Sequence, residues 1–215
     1  MTAETLTYMI DLDGTLTTID DEDFAREYIR LLLKYNDGFL EEEILKNALF
    51  NALNCLLEGT ENGKNNYDRY MDSFAKISGL KDKEKVINFF MDFYETTYNE
   101  LKNIIIPREE LIKFLDYLKT KNHRLILATN PIFPKIAITK RLEWINVDPK
   151  KFEYITTMEN SHYVKPQTDY FTEILKNTNS KAEKSLMIGN DSEMDGACEK
   201  VGIRFTDISF LQENL

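Results

Sequence analysis

Apolar and polar positions along the chain fall into two textures. A short apolar run, Leu6 to Ile10, stops at Asp11-Leu12-Asp13-Gly14-Thr15, the pattern of a buried strand entering a tight turn. From about Asp20 to Asn99, apolar residues recur at three- and four-residue steps: Phe24, Tyr28, Leu31 and Leu32, then Ile44, Leu45, Ala48 and Leu49, and later Phe89, Phe90 and Phe93. That stretch holds no proline, and Gly38, Gly59, Gly63 and Gly79 fall where helices would break. The spacing predicts a block of roughly four helices. After Pro107 the chain alternates. Helices are predicted over 108–121, 134–144 and 168–177, with a further helical turn from Gly196 to Val201. Strands are predicted at Leu125–Ala128, Tyr154-Ile155, Ser185–Ile188 and Ile203–Phe205.

Repeated strand–helix units of this size imply a doubly wound, Rossmann-like parallel sheet, hence an α/β core. The helical block interrupts that core. The expected organisation is a split α/β core, residues 1–16 and 103–215, with an all-helical cap subdomain at 17–102. No internal repeat or low-complexity tract is visible.

In such sheets ligands bind beyond the carboxyl ends of the strands. Polar residues collect at those ends: Asp11 and Asp13 after the first strand, Thr129 and Asn130 after the second, Lys165 before a helix, and Asn190, Asp191 and Asp195 after the fourth. Two carboxylates two residues apart can divide the work of phosphoryl transfer. One can attack phosphorus, while the other protonates the leaving oxygen and later activates water. Gly14 permits a sharp turn that brings backbone amides to an anion. Asp191 adds a carboxylate for a hard-oxygen Mg²⁺ site. Thr129 offers a hydroxyl to a phosphate oxygen, and Lys165 offers a point charge that also favours ionised Asp11.

These residues follow, in order and spacing, the four motifs of the haloacid dehalogenase (HAD) superfamily. The chain resembles a HAD phosphatase with an inserted helical cap: Tyr8-Met9-Ile10-Asp11-Leu12-Asp13-Gly14-Thr15, then Leu125 to Thr129, then Lys165-Pro166 running to Phe171, then Ile188-Gly189-Asn190-Asp191 with Asp195. The resemblance implies Asp11 as nucleophile and Mg²⁺ ligand, and Asp13 as general acid/base with its main-chain carbonyl on the metal. It further implies Asp191 as the third ligand, supported by Asp195. Many relatives carry Asp where this chain has Asn190, which leaves Asn190 as an outer contact. Dehalogenases of the superfamily have a non-acidic residue at the position of Asp13, so an Asp there is similar to the phosphoryl-transfer branch.

The expected activity is therefore hydrolysis of a small phosphorylated metabolite through an aspartyl-phosphate. A phosphomutase using the same nucleophile is the alternative, and a catalytically silent module with this fold is a third. Sugar phosphates, phosphoglycolate-like acids and nucleoside monophosphates all stay open as substrates. A formal net charge of −10 repels nucleic-acid backbone and anionic lipid, so neither is expected as a partner. Cys55 and Cys198 have no metal-like spacing and are expected as reduced thiols. The first residues lack a basic leader pattern, which gives a cytoplasmic location as the expectation. Asp20 is expected to cap the first helix of the block. Thr17 and Thr18 are either substrate contacts or plain loop residues.

Overall fold

The run Thr7–Ile10 becomes the central strand, β1, of a five-stranded parallel sheet in the computed structural model, which describes residues 5–59 and 63–214. With β2 (Arg124–Leu127), β3 (Tyr154–Ile155), β4 (Ser185–Gly189) and β5 (Arg204–Asp207), the order is β3-β2-β1-β4-β5. Tyr8 lies level with Leu125 on one side and Leu186 on the other. Buried parallel strands need apolar side chains toward both faces, and the two-residue period delivers them. Ile10, Leu125, Leu127 and Ile188 face one hydrophobic cluster, whereas Met9, Ile126, Ala128 and Met187 face a second.

Each face is covered by its own helices. Leu111, Leu115 and Leu118 of α5 (Glu109–Thr120) and Ile138 and Leu142 of α6 (Lys135–Trp144) pack in the first cluster. Tyr170, Phe171 and Ile174 of α7 (Thr168–Asn177) and Cys198 pack in the second. Burial pushes the Cys198 thiol up to about 12, so this residue packs as a small apolar group. The segment Gly196–Val201 is a 3-10 helix with a left-handed stop at Gly202, and the last strand lies slightly beyond its predicted place, at Arg204–Asp207. A final helix, α8 (Ile208–Asn214), has no counterpart in the sequence reading.

Between β1 and α5 lie α1 (Asp21–Tyr35), α2 (Glu42–Leu57), α3 (Asn66–Ser78), α4 (Lys83–Glu95) and a 3-10 segment, Thr97–Ile104, that contains the expected boundary at 102/103. Asp20 caps α1 by accepting the Asp23 N–H at 2.8 Å. Aromatic rings dominate the packing here: Phe74 meets Phe90 edge-on at 5.0 Å, and Phe39 stacks on Phe89 at 4.2 Å. These side chains belong to the same hydrophobic cluster as Ile10 and Leu127. The start of α3 is tied to the loop after β3. Asn66 donates its backbone N–H to Ser161 O at 2.8 Å, Tyr67 donates to Met158 O at 3.0 Å, and the buried Asn66 amide side chain donates to Pro131 O and Tyr163 O. No helix among the described residues is long and apolar enough to cross a membrane.

Candidate active site

The connections from β1 run through β2 to β3 on one side, then return across the sheet to β4 and β5 on the other. The chain therefore leaves a crevice at the carboxyl ends of β1 and β4, the topological switch point where such sheets bind ligands. Asp11 follows β1 and Asp191 follows β4. A cavity of about 370 Å³ opens there, and Asp11, Asp13, Thr129, Asn130, Lys165 and Asp191 all line it.

Lys165 is the hub. Its side chain is buried, and Nζ donates to Asp11 Oδ1 at 2.8 Å and to Asp195 Oδ1 at 2.5 Å. Asp195 also accepts the Asp191 N–H through Oδ2 at 3.3 Å, so one carboxylate steadies both the lysine and the Asp191 turn. Gly189 makes this possible, because a Cβ there would stand 2.0 Å from Asp195 Oδ2. Asn130 Oδ1 accepts the Lys165 backbone N–H at 3.2 Å and fixes the lysine's approach. Burial pushes the Asp11 carboxyl up to about 7, the Lys165 ammonium opposes that rise, and Asp195 adds to it. The lysine thus holds Asp11 without cancelling the cost of its burial, since its charge is shared between two acids.

The turn after Asp11 is braced from several sides. Gly14 has φ +71°, and a Cβ on it would meet the Asn190 side chain at 2.5 Å. Asn190 Oδ1 accepts the Thr15 hydroxyl at 3.0 Å. Arg108 donates to Thr15 O at 2.9 Å and to Gly14 O at 3.1 Å. Thr129 is buried; its carbonyl accepts the Tyr170 hydroxyl at 2.9 Å and the Thr156 hydroxyl at 2.6 Å. Thr17 pairs with Pro107 in an isolated antiparallel bridge, and neither Thr17 nor Thr18 lines the cavity.

Arg141 of α6 was not foreseen. It is fully buried and forms an ion pair from Nη1 to Asp13 Oδ2. Its guanidinium packs against both the Phe24 and Phe133 rings, 5.0 and 4.6 Å from their centroids. Burial lowers the arginine's basicity, but Asp13 together with the nearby Tyr98 and Tyr94 more than restores it. Among the described residues, Asp13 Oδ1 and the remaining Arg141 nitrogens are buried without a hydrogen-bond partner. A signal for Arg141 did exist. Ala137, Ile138, Arg141 and Leu142 occupy one buried helix stripe, so this arginine stands where an apolar residue belongs.

Among the described residues, no three His, Cys, Asp or Glu side chains come together as a metal site. The Asp13 side chain is engaged by Arg141, and Asp191 Oδ1 accepts the Glu193 and Met194 N–H groups at 2.8 and 3.0 Å. What the cavity lining offers is two carboxylates, Asp11 and Asp191, beside Asp13. That donor set fits Mg²⁺, which takes one or two carboxylates and fills its other positions with water and phosphate oxygens.

A parallel α/β sheet with paired carboxylates and a buried lysine at its switch point defines a hydrolase-type site. The family model of haloacid dehalogenase-like hydrolases matches residues 6–196, and the chain belongs to that family. A sequence search of curated proteins gives no match. Among solved structures, the chain is similar to the candidate HAD-hydrolase YfnB from Bacillus subtilis, described as bound to magnesium. The TM-score is 0.56 and the identity 19%, covering 94% of this chain and 88% of that one. A candidate β-phosphoglucomutase from Thermotoga maritima gives 0.55 at 19% identity, covering 94% and 84%. A predicted phosphoglycolate phosphatase from Haemophilus somnus gives 0.52 at 18% identity, covering 95% and 85%.

Proposed function

We propose that the protein hydrolyses the phosphate monoester of a small molecule, with Asp11 as nucleophile and an aspartyl-phosphate as intermediate. The observation that carries this reading is the buried Lys165 ammonium bonded to both Asp11 and Asp195 on the floor of the cavity. Lys165 orients one Asp11 oxygen and puts positive charge where phosphate oxygens would arrive. The Thr129 hydroxyl and the amides of the Gly14 turn are assigned to the same oxygens. Asp11, Asp191 and the Asp13 carbonyl would hold Mg²⁺. When bound, that ion would screen the repulsion between an anionic ester and the Asp11 carboxylate.

Asp13 is assigned as acid/base. Its Oδ1 has no hydrogen-bond partner among the described residues, which leaves that atom for the proton exchanged with the leaving oxygen and then with water. Residues 17–102 are assigned as a cap that separates the ester from bulk water, with 1–16 and 103–215 as the core. An acidic Asp13 speaks for phosphoryl transfer over dehalogenation.

Release of inorganic phosphate from p-nitrophenyl phosphate with Mg²⁺ tests the reading. Turnover is expected to vanish with EDTA and in Asp11→Asn; full turnover in that variant overturns the nucleophile assignment. With a sugar monophosphate, isomer formed without free phosphate would mean a mutase.

A further inference from the structure

The cavity above Asp11 has two unlike halves. Its floor carries all of the charge: Asp11, Asp13, Lys165, Asp191 and Asp195. Its walls are apolar. Of the residues between 17 and 102 that line it, Phe24, Ile29, Leu53, Met71 and Phe90 among them, none carries a charge or an amide. The core side adds Ile132, Phe133, Met158 and Met194. The polar exceptions are the tyrosine hydroxyls, those of Tyr28 and Tyr94 hydrogen-bonded to each other at 3.0 Å, and on the core side Thr129, Asn130 and Asn190.

Such walls discriminate sharply between alcohols. A sugar or polyol hydroxyl set against the apolar walls, away from those few groups, would lose its water and find no partner, a cost that apolar groups do not meet. A carboxylate on the substrate would find no free side-chain cation among the described residues: Lys165 is held by two acids, and Arg141 is buried on Asp13 and does not line the cavity. An aryl or branched alkyl group, in contrast, gains from every carbon it buries, roughly fourfold in affinity per methylene.

We propose that the substrate is a phosphate monoester of an apolar alcohol, aryl or branched alkyl. This rests on the phosphatase reading above and narrows it. The alcohol packs against the walls from α1–α4 while the phosphate reaches the charged floor.

The test compares kcat/KM, with Mg²⁺, for 2-phenylethyl phosphate and 3-methylbutyl phosphate against glycerol 1-phosphate, glucose 6-phosphate and 2-phosphoglycolate. The expected result is a preference of at least about tenfold for the two apolar esters, as a few buried methylenes dictate. Leu53→Asp, checked for folding by circular dichroism, should shrink that ratio. A polar ester turned over as well as the apolar pair overturns the proposal and leaves the phosphatase reading standing. A second arm needs no turnover: calorimetric binding of 2-phenylethylphosphonate against 2-hydroxyethylphosphonate. Tighter binding of the phenyl compound supports the apolar pocket even where no ester is hydrolysed, a result that would reject only the phosphatase reading. Equal binding overturns the pocket assignment.

Discussion

Asp13 and Arg141 form the least expected pair in the molecule. Arg141 is fully buried and Asp13 keeps only a 14% exposed edge at the cavity, and such an ion pair holds only while both partners remain. Arg141→Met would leave the Asp13 carboxylate uncompensated and should cost about 3–5 kcal/mol, read from urea denaturation. In Asp13→Asn/Arg141→Met much of that loss should return, because the orphaned charge is gone. A double-mutant cycle whose effects simply add would contradict the coupling. Asp11, Asp13, Gly14 and Lys165 were legible because carboxylates, glycine and lysine at strand ends have few structural reasons to sit there. Arg141 was not. On a helix an arginine reads as a solvated residue, and only its place in a buried stripe betrays it.

At the scale of elements, the strands were the most legible, since β1, β2 and β4 are buried from both faces and carry nearly unbroken apolar runs. The 3-10 segment Thr97–Ile104 was not. Its buried residues, Tyr98 and Leu101, are three apart, and eight residues are too few to set a helical period against the noise of side-chain choice. The β4 turn also hides a constraint that spacing alone does not express. Asp195 crosses directly over Gly189, and even its Cβ lies 2.8 Å from where a methyl group would stand. Gly189→Ala must therefore push Asp195 off Lys165. The expected outcome is a loss of about 1–3 kcal/mol, as for other overpacked sites, with a fall in phosphate release. Unchanged stability and turnover would mean that Asp195 has another way to reach the lysine.

At the scale of the whole molecule, the insertion of a helical block after β1 was plain from the change of period near Asp20. Which faces of α1–α4 turn toward Asp11 was not, because all four helices bury aromatic residues, and choosing the cavity-lining ones requires their mutual packing. The switch point, in turn, gathers residues more than a hundred positions apart, such as Asp11 and Lys165, through strand order. The chemistry assigned to that crevice depends on a bond between Asp11 and phosphorus. Rapid acid quench of the enzyme turning over a phosphate monoester with Mg²⁺, followed by mass analysis of the peptide containing Asp11, examines it directly. One added phosphoryl group on Asp11 is expected, formed and lost at rates compatible with turnover. Hydrolysis that proceeds while this peptide never gains the group, or gains it at another residue, would contradict it.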